Sequence, residues 1–178
     1  MKKNQNAITL ISLAITIIVL LIISGITISG GKEIIQNAKL EELRTNMLLI
    51  KAKAREYVEK ANFEIGYSND EEKKNNIRSK IYEGEEEAAL RPITEEEKQE
   101  WTWLTEDKNV YVVTKKSFEK WGLKKIGEKI DGTDEKYIIY FQDESNETTD
   151  ISVEIYNSKG YKDKEQIKYS LTDIDNIE

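Results

Sequence analysis

The sequence contains no histidine, no cysteine and one proline among its 178 residues. Without an imidazole, the Ser-His-Asp and Cys-His catalytic arrangements and histidine metal ligands are excluded. Without a thiol, disulfides, cysteine zinc sites and thiol redox centres are excluded as well. We therefore expect no catalytic residues, no metal site and no cofactor, and an enzyme is the least favoured class.

The charges are distributed very unevenly along the chain. No charged residue lies between Lys3 and Lys32, whereas every later stretch is rich in charge. Residues 1–31 carry a net charge of +2, so the remaining 147 residues (178 − 31) hold 25 bases and 34 acids, a net charge of −9. An acidic surface does not favour binding to a phosphate backbone, so we predict no nucleic-acid partner. The 147 residues suffice for one domain.

A long apolar run occupies residues 7–28 and contains nine Ile, four Leu and one Val. A helix of this length spans about 33 Å, close to the roughly 30 Å hydrocarbon core of a bilayer. The run therefore predicts a transmembrane helix. Lys2 and Lys3 precede it, so the positive-inside rule places the N-terminus in the cytoplasm and the acidic remainder outside. The expected location is the cytoplasmic membrane, with a single span, and a cell-surface filament is the alternative destination.

The start of the run has a specific pattern. A short basic leader and a small residue, Ala7, precede the sequence Ile8-Thr9-Leu10-Ile11-Ser12-Leu13 and the apolar helix. This arrangement resembles the prepilin-type N-terminal segment of type IV pilins and type II secretion pseudopilins. The resemblance covers residues 1–28. In that family Gly occupies the position of Ala7, and Glu occupies the position of Ser12.

The resemblance implies a processing site and a set of partners. A prepilin peptidase would cleave between Ala7 and Ile8 and methylate the new N-terminus at Ile8. The retained helix would then bundle with other pilin-like subunits to form a filament core. Because Ser12 replaces the carboxylate that the family pairs with a neighbouring N-terminal amine, the resemblance favours a minor pilin-like or pseudopilin-like subunit over a major one.

Two further features of the N-terminal segment concern helix packing. The small hydroxyl residues Thr9, Ser12 and Thr16 fall at helical spacings, which allows close approach between membrane helices. We interpret them as helix–helix contacts, with chance placement as the alternative. The adjacent Gly30 and Gly31 each lower helix propensity by about 1 kcal/mol relative to Ala, and they predict a hinge.

The rest of the sequence predicts an α+β fold. An amphipathic helix is expected over residues 32–62, because apolar residues recur at spacings of three and four. Those residues are Leu40, Leu43, Met47, Ile50, Ala54, Tyr57 and Ala61. We therefore divide the chain into a leader (1–7), a transmembrane helix with the glycine hinge (8–31), a helical spine (32–62) and an extracytoplasmic headgroup (63–178), in which the long helix packs on a small antiparallel sheet.

Local patterns predict the elements of the headgroup. Helices are expected over 70–82, after the capping box of Thr94 and Glu97, and over 117–123. Strands are expected over 110–114, 137–142, 151–156 and 166–171, joined by polar turns as an antiparallel meander. The loop 143–150 contains Asp143, Glu144, Asn146, Glu147 and Asp150, which leaves calcium binding open, although the loop lacks the register of an EF-hand. The tryptophans are expected in the core, with a sugar- or partner-binding surface cluster left open.

These observations lead to three hypotheses. The first is a membrane-anchored pilin-like or pseudopilin-like structural subunit. The second is a monomeric binding or adhesion domain on a plain signal-anchor. The third is a domain secreted after signal-peptide removal, since Ser29-Gly30-Gly31 offers small residues for a signal peptidase. The mass of the mature N-terminus distinguishes the three.

Overall fold

The computed structural model describes residues 3–66, 68–83, 90–106, 108–143 and 151–177. The side chains of residues 3–15, 18–32 and 143 lie outside that description. The chain divides into two compact units, Met1–Glu42 and Leu43–Glu178. They are treated separately below.

A long first helix is followed by five strands and five shorter helices in the described part of the chain. In chain order the elements are α1 (Lys3–Ile65), α2 (Glu71–Glu83), β1 (Leu90–Pro92), α3 (Glu95–Glu100), β2 (Val110–Val113), α4 (Lys115–Lys120), α5 (Lys124–Ile130), β3 (Tyr137–Asp143), β4 (Ile151–Asp163), β5 (Gln166–Ser170) and α6 (Leu171–Asp175).

The five strands form one antiparallel sheet in the order β1-β2-β3-β4-β5. Each strand pairs with the next one along the chain, as in Val110 with Tyr140 and Ile139 with Ile155. The predicted antiparallel meander is therefore confirmed, with one strand more than expected. The fold is α+β: a helix packs on a five-stranded antiparallel sheet.

The second half of α1 packs through the predicted apolar stripe. Met47, Ile50, Ala54 and Ala61 are completely buried. Leu43 and Tyr57, which were predicted on the same stripe, are half-buried. Val58 and Ile65 extend the buried stripe, because they follow Ala54 and Ala61 at the helical spacing of four.

The two faces of the sheet bury different sets of residues, because successive side chains of a strand point to opposite faces. On the face towards α1, which we call the helix face, Tyr137 accepts a hydrogen bond from the Asn46 amide at 3.4 Å. Tyr82 of α2 stacks on Phe141 there, with ring centroids 3.8 Å apart. On the opposite face, which we call the tryptophan face, Trp101 packs with β2 and β3. Its buried partners are Val110, Val112 and Ile138.

The short helices α3, α4 and α6 begin at side-chain caps, whereas α5 does not. The predicted capping box of α3 is confirmed: the Thr94 hydroxyl accepts from the Glu97 amide, and the Glu97 carboxylate accepts from the Thr94 amide. Thr114 and Ser117 form the same reciprocal arrangement at the start of α4. The expected helix over 117–123 thus begins two residues earlier and ends at Lys120, with Phe118 buried and Trp121 half-buried.

One expectation about the sheet needs correction. Residues 157–163 were predicted as part of a turn, but they continue β4. A register shift between Tyr156 and Tyr161 accommodates these polar residues within the strand. Gly160 supplies a positive φ of 62° within this irregularity. Pro92 is the last residue of the short edge strand β1, where no ladder donor is needed.

Among the residues that the structure describes, no helix combines the length and apolar composition needed to cross a membrane. Apart from Thr16 and Ile17, the side chains of the predicted transmembrane run lie outside those residues. Of the loop considered for calcium, residues 144–150 and the Asp143 side chain also lie outside them.

Candidate assembly surface

The sequence-predicted processing and contact residues all lie in the helical backbone of α1. Ala7, Ile8, Thr9 and Ser12 follow the helix start at Lys3, and their side chains are outside the described part. The Thr16 side chain is exposed. The structure therefore gives these residues a common helix, and their roles in cleavage and contact stay predictions.

The two glycines expected to form a hinge do not interrupt the helix. The backbone is helical through Gly30 and Gly31, as part of the segment Lys3–Ile65. A helical hydrogen-bond ladder needs no side chain, so two glycines weaken the helix without breaking it. The helix is thus continuous here, and bending at this point stays a prediction.

A second apolar surface lies on α1, away from the buried stripe. Leu48 and Leu49 keep 46% and 43% of their surface exposed, and Ala52 beside them is exposed as well. We call these three residues the outer patch. At about 100° per residue, the outer patch lies roughly 180° around the helix from Ile50 and Ala54. The helix in this unit is therefore apolar on two opposite sides, and only one of them is covered by its own chain.

The outer patch is bounded by charge on its C-terminal side. Glu56 and Glu59 are exposed and follow Ala52 on the same side of the helix. One turn beyond Glu59, Phe63 leaves 84% of its surface exposed. A phenyl ring of this exposure is unfavourable in water by roughly 1.5–3 kcal/mol relative to a buried one.

The N-terminal unit carries its own exposed apolar residues. Ile34 and Ile35 keep 71% and 56% of their surface exposed. Residues 33–39 are all exposed, which leaves both isoleucines in a stretch without a covering element in the described part of the unit. These side chains were not singled out by sequence periodicity, because they lie off the regular stripe that begins at Leu40.

The C-terminal helix α6 is attached to α1 through Arg44. The guanidinium Nη2 donates to the carbonyl oxygens of Ile174 at 2.9 Å and of Ile177 at 3.3 Å. Its Nε lies 3.2 Å from the Asp175 carboxylate. Arg44 thereby satisfies carbonyls at the end of a helix that has no basic residue of its own in its last turn. Sequence reasoning missed this residue, because its partners are distant in the chain.

The described part of the chain contains no metal cluster, and its cavities include two that are lined in part by charged residues. No group of three or more acidic residues there is arranged to hold a metal ion. A cavity of about 200 Å³ is lined by Arg91, Val112, Val113, Thr114, Lys115, Phe118, Gly127, Ile130, Asp131 and Lys136. In it, Lys115 is paired with Asp131 at 2.6 Å, and Arg91 is paired with Glu97 at 2.6 Å. The other, of about 360 Å³, is lined by Lys60, Glu64, Ile77, Lys80 and Ile81.

The shifted pKa values have structural explanations. Burial raises the pKa of Tyr111 to about 12, and the Glu83 carboxylate adds to the shift. Burial also raises the pKa of Tyr156, whose hydroxyl donates to Glu106 at 3.2 Å. For Glu97, burial raises the pKa, but the hydrogen bonds from Arg91 and from the Thr94 amide outweigh it, so the net pKa is lowered. Each of these groups is explained by packing, an ion pair or a helix cap.

The aromatic residues form a packed layer on the tryptophan face. Trp103 stacks on Tyr169 with ring centroids 4.3 Å apart and an angle of 4° between planes. The ring centroid of Trp103 also lies 6.3 Å from that of Trp101 and 5.7 Å from that of Tyr156. The expectation of a core role is confirmed for Trp101, which is buried. Trp103 and Trp121 are half-buried beside the core.

Comparison with protein-family models, with characterised proteins and with solved structures finds no match to this chain. Function is therefore inferred from the sequence pattern and from the surfaces described above.

Proposed function

We propose that this chain is a pilin-like or pseudopilin-like structural subunit, anchored in the membrane by its N-terminal helix and assembled into an extracytoplasmic filament. One observation carries the proposal: the outer patch of Leu48, Leu49 and Ala52 lies opposite the side of α1 that its own sheet covers. A helix that is apolar on two opposite sides fits a position between its own domain and another helix.

The free energy gained by burying the exposed part of the outer patch supports association through it. Fully burying a leucine side chain contributes about 1.5–3 kcal/mol, and half of that surface is already covered for each of the two leucines. Burial of the remaining surface contributes roughly 1.3–2.7 kcal/mol for the pair. Because even a millimolar Kd requires about 4.1 kcal/mol, this contact alone does not hold a dimer, and it fits a subunit that makes additional contacts in an assembly.

The N-terminal sequence supplies the membrane part of the proposal. The basic leader with Lys2 and Lys3 stays in the cytoplasm, a prepilin peptidase cleaves before Ile8, and the apolar helix is retained. Thr9, Ser12 and Thr16 lie where helices approach one another. The headgroup after residue 62 lies outside the cytoplasm, and its partners are other pilin-like subunits.

The mass of the mature chain tests this processing. A chain that begins at methylated Ile8 supports the proposal. A chain that begins at Met1 supports a plain signal-anchor carrying a monomeric binding domain. A chain that begins near residues 30–32 and is found in the culture fluid supports secretion, and it overturns the proposal.

Substitution of the outer patch tests assembly directly. Leu48→Gln combined with Leu49→Gln is expected to reduce sedimentable filament by about tenfold or more, because a loss of about 1.4 kcal/mol per contact lowers affinity tenfold. The monomer should remain folded with a moderately lower unfolding midpoint, because nearly half of each leucine surface is already in contact with solvent. The matched control is Asn76→Gln with Ser79→Gln, which places two glutamines at exposed polar positions of α2. Equal filament yields in the two double variants would contradict a role for the outer patch.

A further inference from the structure

The exposed apolar residues of α1 recur at a fixed spacing. Among residues 33–65, whose side chains the structure describes, the large hydrophobic side chains that are exposed are Ile34, Ile35, Leu48, Leu49 and Phe63. The two adjacent pairs are 14 positions apart in the sequence, and Phe63 follows Leu49 by the same 14 positions. Fourteen residues are two heptads, so side chains at this spacing return to nearly the same side of a helix.

Within the second unit, the outer patch and Phe63 therefore lie on one side of α1, which we call the outer face. Thr45 precedes the patch on this face, Glu56 and Glu59 lie between the patch and Phe63, and all three side chains are exposed. Positions 45, 49, 52, 56, 59 and 63 alternate steps of four and three, which is the spacing of a seam between packed helices. Single exposed hydrophobic residues are ordinary, whereas residues at a constant spacing on one helix face indicate a contact.

A neighbouring copy in the proposed filament is the partner that this spacing fits. All copies enter from one membrane with the same orientation, so their α1 helices run parallel. Two outer faces that meet without displacement place Glu56 against Glu56 and Glu59 against Glu59, which repel. A displacement of 14 residues, about 21 Å along the helix, places Leu49 of one copy against Phe63 of its neighbour instead.

The displaced register also separates most of the acidic residues. Glu59 comes opposite Thr45, which is uncharged. Glu56 comes opposite Glu42, and within its own copy the Glu56 carboxylate is bound by the Lys53 ammonium at 2.7 Å. A displacement of 7 residues is less favourable, because it places Leu49 against Glu56 and Glu56 against Phe63, so carboxylates would be buried on apolar side chains.

We infer that parallel copies pack through their outer faces with a displacement of 14 residues, so that Phe63 of one copy packs on the outer patch of the next. This inference rests on the proposed function and names the register of its helices. Each copy offers Phe63 to one neighbour and its outer patch to another, so the contact is heterologous. Because the displacement runs along the helix axis, the contact does not close into a ring and continues as a filament.

Engineered disulfides test the register, because the natural chain has no cysteine. Thr45→Cys and Glu59→Cys are 14 positions apart on the outer face and leave Leu49 and Phe63 intact. Full-length chains that carry one or the other substitution are co-assembled and oxidised. We expect disulfide dimers in the mixture, none from either variant alone, and a ladder of multimers from a chain carrying both. A disulfide joins Cα atoms roughly 4.4–6.8 Å apart, so it distinguishes this register from one displaced by about 10.5 Å, or 7 residues.

The matched control pairs Thr45→Cys with Ala52→Cys, which lies on the same face at a different height. This pair should give no disulfide dimers.

Substitution of Phe63 supplies the second arm of the test. Phe63→Gln, added to the Thr45→Cys and Glu59→Cys chains, should lower the disulfide yield at least several-fold, whereas Phe63→Leu should retain most of it. Ile167→Gln removes the exposed isoleucine of β5 and should leave the yield unchanged. Because 84% of the Phe63 surface is exposed, its variants should unfold within a few degrees of the natural chain.

The possible results separate this inference from the proposed function. Filaments that form normally but give no disulfide between positions 45 and 59 overturn the 14-residue register alone. Disulfides between two Thr45→Cys chains, or between Thr45→Cys and Ala52→Cys, also overturn it, because they show a different displacement. An unchanged yield in the Phe63→Gln chains overturns the contact of Phe63 with the outer patch. A natural chain that never sediments as filament overturns the proposed function together with this inference.

Discussion

At the scale of single residues, Arg44 makes the longest-range polar contacts of α1. It binds two carbonyl oxygens and one carboxylate of the C-terminal helix. The planar guanidinium lets Nη2 donate to both carbonyls while Nε faces the Asp175 carboxylate in an ion pair, an arrangement that a lysine ammonium with one flexible point of charge reproduces less well. The Arg44 side chain therefore holds α6 against α1.

We predict that Arg44→Met lowers the free energy of unfolding by about 1.5–3 kcal/mol, the range for a hydrogen bond that involves a charged group. Urea unfolding followed by tryptophan fluorescence measures the change. The control is Arg55→Met on the same helix, at an exposed position without an ion pair in the described part of the chain, and it should change the value by less than about 0.5 kcal/mol. Equal effects of the two substitutions would show that α6 does not depend on Arg44.

Tyr111 gives a prediction about alkaline pH. Its phenol ionises near pH 12 in the folded protein, and the unfolded phenol ionises near pH 10. The fold therefore favours the neutral form. Its contribution to stability is complete below about pH 10 and is lost as the pH rises towards about 12, by up to about 1.4 kcal/mol per pH unit.

Tyr111→Phe should accordingly flatten the fall in unfolding free energy between about pH 10 and pH 12. Urea unfolding at a series of pH values measures this slope in both chains. Burial raises the pKa of Tyr57 and Tyr156 in the same direction, so part of the fall should persist in the variant. Identical slopes with and without the hydroxyl would contradict the assignment to Tyr111.

At the scale of secondary structure, β4 and β5 extend beyond the end of β3 as a two-stranded arm. Tyr137, the first residue of β3, pairs with Asn157, whereas β4 continues to Asp163 and pairs there with β5. Gly160 lies in the irregular part of β4 with φ at 62°. A Cβ at this position would come within 2.6 Å of the Lys168 carbonyl oxygen and 2.7 Å of the Ile167 side chain.

Gly160→Ala should therefore destabilise the arm through both backbone conformation and steric overlap. We expect a cost of more than about 2 kcal/mol, since the left-handed backbone alone costs about 1–2 kcal/mol. Gly132→Ala is the control, because Gly132 also has a positive φ, 75°, but nothing lies within 4 Å of the added Cβ. Thermal unfolding of both variants measures the difference, and a larger loss for the Gly132 variant would disprove the overlap argument.

The elements that the sequence predicted are those with a local signal of adequate length. The stripe of α1 repeats over several turns, the strands of β2 and β3 are strongly apolar, and Thr94 with Glu97 forms a complete cap. The strand β1 has three residues including Pro92, and α6 has five, so neither contains two full periods of its pattern. The structure of β1 and α6 depends on contacts with residues elsewhere in the chain, which a local sequence pattern does not predict.

Of the two apolar sides of α1, the sequence predicted only the buried one. The buried side of α1 was predictable because burial requires a periodic apolar stripe. The outer patch of Leu48, Leu49 and Ala52 was not predicted, because an apolar residue off the stripe is indistinguishable in sequence from a half-buried one. The arrangement of α3 and α4 on opposite faces of the sheet follows from the strand register, which only the three-dimensional fold defines.

At the scale of the whole molecule, the second unit carries a complete core. Met47, Ile50, Val58 and Ile65 of α1 are buried in it. Burial of four such side chains contributes roughly 6–12 kcal/mol, comparable with the net stability of about 5–15 kcal/mol typical of a domain. The sheet alone is therefore not expected to persist without this part of the helix.

We predict that a chain beginning at Lys32 folds in aqueous buffer, with a thermal midpoint within a few degrees of the full chain in detergent. A chain beginning at Gly66 should remain unfolded, because it lacks all four of those buried side chains. Near-ultraviolet circular dichroism and thermal unfolding measure both outcomes. A folded product from the shorter chain would show that the sheet and the small helices are self-sufficient.

The attachment of α6 also determines when the molecule can be completed. Arg44 and Ile174 are 130 positions apart, and the five strands lie between them. During synthesis each hairpin of the meander can form as soon as its second strand has left the ribosome. The contact between the Arg44 guanidinium and α6, in contrast, can form only after all five strands have emerged. The final contact thus requires that the entire sheet is present, and until it forms, the side of α1 around Arg44 stays accessible to proteases and chaperones.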